Sequence, residues 1–231
     1  MVLPTVILPG YLAGAIEYRD LEHALQAQGI PAITVPLRWQ DWLPTLGGRS
    51  VAPILHQIDA SVQQVLQQQG SGKINLIGHS AGGWLARIYL GEQPYCIHPK
   101  DGQNCLWHAR PHIASLITLG TPHTSLERWT RKNLDFVNQT YPGAFYPDIN
   151  YVCVAGKTIY GSRPNNWLAY SSYKLTCGTG NCWGDGITPI AAAHLHGAEN
   201  LILEGANHSP RADRLWYGSP ELLSIWTKYL T

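Results

Sequence analysis

The sequence predicts an α/β fold: a minimal, mostly parallel six-stranded sheet with helices on both faces. Three observations carry this expectation. Six short runs rich in Val, Ile and Leu recur along the chain, stretches of helical period lie between them, and 231 residues suffice for one such domain with a buried core. Parallel neighbours need crossover connections, and right-handed crossovers place helices on both faces. The whole chain, 1–231, is therefore read as a single domain.

The elements follow in order. "TVILPG" (5–10) is a β-branched run stopped by Pro9 and Gly10, a buried strand feeding a loop. From Ala15 to about Gln28 a helix is expected, with Ile16, Leu21, Leu25 and Gln28 as its stripe and Gly29 closing it. "IPAITVPL" is the second strand. A longer helix is predicted from Ser50 to Gly70, with Ser50 as cap, Pro53 in the first turn, and Ile54, Leu55, Ile58, Val62, Val65 and Leu66 on one face. "KINLIGHS" is the third strand, "AGGWLARIYL" a helix, "HIASLITLG" the fourth strand, "INYVCVAG" the fifth and "NLILEG" the sixth. "SPELLSIWTKYL" ends the chain as a helix, with Ser219 and Pro220 as cap and first-turn residue.

Two segments interrupt this rhythm. Residues 92–112 form a long polar connection, and cap- or lid-like insertions are expected at about 124–147 and 157–182, on either side of the fifth strand. The insertions hold Trp129, Leu134, Phe136, Val137, Tyr141, Phe145 and Tyr146, then Trp167, Leu168, Tyr170 and Tyr173. Trp39, Trp42, Leu43 and Leu46 follow the second strand. Nine Trp and twelve Tyr against two Phe is an amphipathic aromatic set. These rings are expected to wall an apolar cleft, with Trp129 and Trp167 as substrate-binding residues.

A formal charge of +1, with scattered basic residues and 13% charged residues, points to no nucleic-acid partner. No transmembrane run or signal peptide is recognised, so a cytoplasmic protein with at most peripheral membrane contact is expected.

"GHSAG" (78–82) lies between a strand and a helix. A serine presented on a tight strand-to-helix turn needs small neighbours two residues before and after, and here both are glycine. The following helix aims free N–H groups and its positive end at the same spot, where negative charge on an attacked carbonyl is favoured. Ser80 is thus a candidate nucleophile. A serine hydroxyl needs a base, and that base needs a carboxylate to fix its tautomer. His208, in "EGANHSPR" after the sixth strand, is the candidate base; His194 and His196 precede that strand. Asp185, in "WGDGITPI", is the candidate acid, with Asp148 as competitor just before the fifth strand. The backbone N–H groups of Ala81 and Tyr11 are the candidate oxyanion hole.

"LPGYLAG", "GHSAGG", "TLGTPH", "WGDGITP" and "GANHSP", in this order, resemble lipases and related esterases of the α/β-hydrolase superfamily. More narrowly, the chain looks like compact cyanobacterial and plastid hydrolases. The resemblance implies the α/β-hydrolase fold, a triad of Ser80, Asp185 and His208, and Tyr11 and Ala81 as oxyanion donors. It departs at Pro9, where lipases often carry histidine, and the two antiparallel strands that open larger members are not expected here. The implied activity is cleavage of an acyl ester, a small molecule or lipid, through an acyl-serine intermediate, with no cofactor. An acyltransferase or thioesterase would use the same triad; a non-catalytic binding module would normally have lost a member of it.

Cys96, His98, Cys105, His108 and His112 share one loop but lack the regular spacing of a zinc site, and no metal is expected. Cys96 with Cys105, or Cys177 with Cys182, could pair, with free thiols favoured in a reducing compartment.

Overall fold

A computed structural model describes residues 2–68, 72–97, 105–210 and 214–231. Among them lie the strands β1 (Thr5–Leu8), β2 (Ala32–Thr34), β3 (Ile74–His79), β4 (Ile113–Leu119), β5 (Asn150–Lys157), β6 (Ile159–Tyr160), β7 (Trp183–Gly184) and β8 (Glu199–Glu204). The α-helices are α1 (Arg19–Ala27), α2 (Ala52–Gln68), α3 (Ala81–Tyr89), α4 (Arg131–Thr140), α5 (Trp167–Cys177), α6 (Ile190–Ala193) and α7 (Pro220–Thr227).

The main sheet runs β2-β1-β3-β4-β5-β8, and every neighbouring pair is parallel. Strand order reverses between β1 and β3, so the loops leaving these two strands diverge and open a crevice at the sheet's carboxyl end. The strands alternate their side chains between two cores. Val6, Leu8, Leu76 and Leu116 face α2, α3 and α4, while Ile7, Ile77, Ile117 and Val152 face α1 and α7. Burial on both faces explains why these strands read as continuous apolar runs.

Several elements differ in extent from the sequence pattern. Residues 15–18 form a 3-10 turn and α1 starts only at Arg19. The stripe uses Tyr18, Leu21 and Leu25, all buried, whereas Ile16 is 66% exposed because it falls out of phase with that face. The second strand shrinks to three residues. In α2 the expected apolar face is buried, and the Ser50 hydroxyl accepts the Ala52 N–H at 3.3 Å; Gly70 lies outside the described residues. Ser219 does not cap α7 with its hydroxyl, which accepts the Trp216 N–H instead; its carbonyl accepts the N–H groups of Leu222 and Leu223.

The two aromatic-rich segments are built into the fold. Leu134 and Val137 of α4 join the first core, and Arg87 of α3 reaches across to Asn138 Oδ1 at 2.9 Å and the Tyr141 carbonyl at 2.8 Å. Residues 157–182 fold into β6 and α5, and β6 pairs antiparallel with β7. Tyr141, Tyr146, Tyr173 and Trp42 are therefore core residues, not cleft walls. Among the described residues no helix is long and apolar enough to cross a membrane.

The β3–α3 crossing leaves no room for side chains. A Cβ on Gly78 would stand 2.4 Å from Gly83 Cα, and one on Gly82 would stand 2.3 Å from the Leu8 carbonyl oxygen. Backbone obstructs both positions, so the turn itself would have to open. Gly78→Ala is expected to cost about 3 kcal/mol or more of unfolding free energy. Denaturant titration checks this, and a loss under about 1 kcal/mol would contradict it.

Candidate active site

Ser80 follows the last residue of β3 and precedes the first of α3, with φ 51° and ψ −120°. A positive φ is rare for a residue with a Cβ and costs of order 1–3 kcal/mol, so the surroundings must hold it. They do so through the Ser80 N–H, which donates to the Leu119 carbonyl at 2.9 Å, and the Ser80 carbonyl, which accepts the Gly83 N–H at 3.2 Å. The turn thereby lifts the hydroxyl out of the sheet.

His208 lies in the loop after β8 and Asp185 just after β7. His208 Nε2 is 3.0 Å from Ser80 Oγ, and His208 Nδ1 is 2.7 Å from Asp185 Oδ2. A second tie fixes the two loops, since the His208 N–H donates to the Asp185 carbonyl at 3.1 Å. Asp185 is almost wholly buried, yet its carboxylate is fully served. Oδ1 accepts the N–H groups of Ile187 and Thr188 at 2.9 and 2.6 Å, and Oδ2 also accepts the Tyr217 hydroxyl at 2.6 Å. Burial works to raise its pKa, but the charge and hydrogen bond of His208, with those from Tyr217 and Thr188, outweigh it and hold the carboxyl below its usual value. Tyr217 is itself pushed up by burial and by Asp185, so it stays a donor.

Behind Ser80 a chain of buried hydrogen bonds ties three loops together. The Gly10 N–H donates to the Tyr18 hydroxyl at 2.8 Å, that hydroxyl is 2.7 Å from His79 Nδ1, and His79 Nε2 is 2.9 Å from the His208 carbonyl. A carbonyl only accepts, so Nε2 carries the hydrogen and Nδ1 accepts from Tyr18. Burial foremost, then the neighbouring His208, push the His79 pKa down to about 3, against an upward pull from Asp185 and from the bond to the His208 carbonyl. The ring is therefore neutral.

The N–H groups of Tyr11 and Ala81 donate to no described residue. Both residues line cavities that also take in Ser80. One, of about 250 Å³, is lined by Gly10, Tyr11, Leu12, Glu17, His208 and Ser209 among others. The other, of about 180 Å³, is lined by Tyr11, Val51, Ala81, Trp84, Pro122 and Trp129 among others. A further space of about 220 Å³ shares Trp84, Pro122, Glu127 and Thr130 with the second and reaches Leu134, Leu175 and Ile187.

Of the residues singled out in the sequence, Ser80, His208, Asp185, Tyr11, Ala81 and Trp129 meet at this crevice. Trp167 does not. It lies 63% exposed on a separate groove with Leu168, Ile159 and Ile187, because α5 turns its first residues outward. Asp148 sits at the opposite end of the sheet, paired with Arg110 at 2.9 Å, and His196 is exposed. Cys177 and Cys182 are separate thiols, each set against the Thr179 carbonyl. Among the described residues no group of three or more His, Cys, Asp or Glu side chains is arranged to hold a metal ion, and His98 lies outside them.

Comparison with known proteins adds three likenesses. A triacylglycerol lipase of Pseudarthrobacter phenanthrenivorans is 37% identical over 71 residues, which is 31% of this chain and only 17% of the lipase's length. A solved structure of a Listeria innocua gene product aligns with 100% of this chain and 94% of its own, at TM-score 0.56 and 12% identity. Paleococcus ferrophilus monoacylglycerol lipase aligns with 100% and 96%, at TM-score 0.52 and 12% identity, which is a likeness of fold. A sequence profile described as the alpha/beta hydrolase fold matches residues 48–227. The chain belongs to that family.

In this alpha/beta hydrolase the sequence reading missed His79, Tyr18 and Tyr217. His79 occupies a variable position of G-x-S-x-G, and the two tyrosines are distant in sequence from the residues they serve. One signal was available: a histidine directly before the serine, at the end of a strand whose residues are all buried.

The neutral, buried His79 also has a pH consequence. Its folded-state pKa is depressed, so the stability tied to its neutral form is present above the unfolded value near 6.5 and is lost as pH falls from there toward about 3. The groups facing it are Tyr18, His208, Asp185, Tyr217 and Trp216. The slope per histidine is at most about 1.4 kcal/mol per pH unit. His123, also buried and depressed, adds to it. Melting curves from pH 7 to pH 4 should show wild type losing stability faster than His79→Gln; identical slopes would contradict a buried neutral ring.

Proposed function

We propose that the chain is a serine carboxylester hydrolase acting on an apolar or lipid ester. The carrying observation is the unbroken line from Ser80 Oγ through His208 to a buried Asp185, at 3.0 and 2.7 Å. In this reading His208 Nε2 takes the Ser80 proton as Oγ attacks the ester carbonyl carbon. The N–H groups of Tyr11 and Ala81 receive the developing oxyanion. The tetrahedral species collapses by breaking the bond to the alcohol, which leaves with the proton held by His208. Water, deprotonated by His208, then attacks the acyl-serine carbonyl carbon; the bond from that carbon to Ser80 Oγ breaks, the acid leaves, and His208 returns its proton to Oγ. Asp185 holds the tautomer and stabilises the imidazolium.

Ser80→Ala is expected to lower kcat at least about 10⁴-fold, with the fold retained by circular dichroism. Asp185→Asn should cost about 10⁴-fold through the wrong His208 tautomer, and Asp148→Asn less than about threefold. Steady-state kinetics on p-nitrophenyl esters checks the order, and the reverse ranking of the two aspartates would overturn the assignment.

The apolar groove from Ser80 past Trp129 toward Leu175 suits an acyl chain, and the more polar cavity beside Glu17 and Ser209 suits the alcohol. Each methylene moved from water into the groove is worth about 0.8 kcal/mol, so four should raise kcat/KM by over about a hundredfold. We expect kcat/KM to climb from acetyl to octanoyl esters measured as soluble monomers. Trp129→Ala should flatten that climb and Trp167→Ala should leave it. Preference for acetyl esters would point to a small-ester hydrolase instead.

A further inference from the structure

We infer that Tyr18 and His79 are positioning residues that lock the oxyanion loop and the His208 loop to the same strand end; the inference rests on the hydrolase reading above. Three loops meet the relay: Gly10 after β1, the turn at Ser80 after β3, and His208 after β8. No sheet hydrogen bond joins the ends of β1 and β8, which stand at different places in the strand order. The sheet joins them only through β3, β4 and β5, whereas the Tyr18–His79 pair links the loops that leave them directly.

The polarity of the relay is complete. Gly10 gives its N–H to Tyr18, Tyr18 gives its hydrogen to Nδ1, and Nε2 gives its hydrogen to the His208 carbonyl. The Gly10 carbonyl is taken as well, by the Ala13 N–H at 3.1 Å. The carbonyl bond to Ala13 holds the Gly10–Tyr11 peptide and the N–H bond to Tyr18 holds the peptide before it, so Gly10 is pinned on both sides and the loop that carries the Tyr11 N–H starts from a fixed point. Contact is close enough to transmit a shift, since a Cβ at Gly10 would stand 3.0 Å from Ser80 Cβ and 3.1 Å from His79 Nδ1. At the other end, the carbonyl held by His79 belongs to the residue whose ring faces Ser80. An error of even an ångström at either end misplaces a group that must act on the transition state.

The side chains of Asn and Gln separate the two ends. In His79→Gln an amide nitrogen can stand near the Nε2 position and keep the His208 tie. In His79→Asn an amide oxygen can stand near Nδ1 and keep the Tyr18 tie. Tyr18→Phe removes the acceptor for the Gly10 N–H and the donor to His79 together.

The experiment measures kcat, KM and melting temperature for these three variants on a soluble p-nitrophenyl ester. It adds the imidazole 15N spectrum of the wild type and of Tyr18→Phe, with His79 assigned by its absence in His79→Gln. Tyr18→Phe should lower kcat by 10- to 100-fold, as an order of magnitude for a misaimed oxyanion donor, with KM within about threefold. The Tyr18→Phe spectrum should show the His79 Nδ1 signal displaced, while the wild type keeps hydrogen on Nε2 from pH 5 to pH 8. Both His79 variants should lose kcat at constant KM, and a trifluoromethyl ketone should bind His79→Asn more tightly than Tyr18→Phe. An unchanged kcat in Tyr18→Phe and His79→Gln, losses that fall on KM, or hydrogen on Nδ1 in the wild type would overturn the relay. Labelling of wild-type Ser80 by a fluorophosphonate is run alongside. Its failure would sink the hydrolase reading, whereas the tautomer result judges the relay by itself.

Discussion

Ser80 sits at φ 51° because α3 turns back across β3 within a few residues, and much of the carboxyl edge of the sheet is shaped by that crossing. The turn is possible only where backbone meets backbone. Gly78 lies against Gly83, and Gly82 lies against the Leu8 carbonyl of β1. Strain of this kind persists when neighbours over-determine it, and here hydrogen bonds to Leu119 and Gly83 hold it in place. The same crossing brings the start of α3 to the crevice, where Ser80 and Ala81 line one cavity. The reactive geometry is thus a property of how two elements pack, and the loops carrying Asp185 and His208 are fitted to it.

Electrostatics completes what packing begins. A buried carboxylate is costly unless its oxygens are satisfied, and Asp185 receives four hydrogen bonds from His208, Tyr217 and two backbone N–H groups. Those contacts keep it charged in spite of burial, which is the state needed to orient His208. On the opposite side His79 is kept neutral by burial and serves as a connector. Two histidines lie with ring centroids 4.8 Å apart in different environments, His208 bordering the crevice and His79 buried. A charged His79 would repel a charged His208, and the neutral ring removes that repulsion.

The sheet was legible because strands buried on both faces leave continuous apolar runs, and the turn at Ser80 was legible because close packing demands glycine at fixed offsets. His208 and Asp185 could be named from chain order, and the structure brings both within hydrogen-bond reach of their neighbours. Less could be read where long-range packing decides. Ile16 matched a helical stripe by spacing but was displaced by the 3-10 turn before α1. The aromatic segments look alike in composition, yet Tyr141, Tyr146 and Tyr173 entered the core while Trp129 and Trp167 stayed outside, in different grooves. Spacing marks Tyr18 only as a buried member of the α1 stripe and Tyr217 not at all, since their hydrogen bonds reach across 61 and 32 residues of sequence.

The central claim is that the strained serine forms a covalent acyl intermediate, and trapping it is the direct measurement. The enzyme is mixed rapidly with excess p-nitrophenyl octanoate, quenched in acid within milliseconds, and analysed by intact-mass and peptide-mapping spectrometry. The account requires one octanoyl group per chain on the peptide bearing Ser80, appearing in step with a burst of nitrophenol. Nitrophenol release with no acylated peptide, or acylation at a residue other than Ser80, would contradict it.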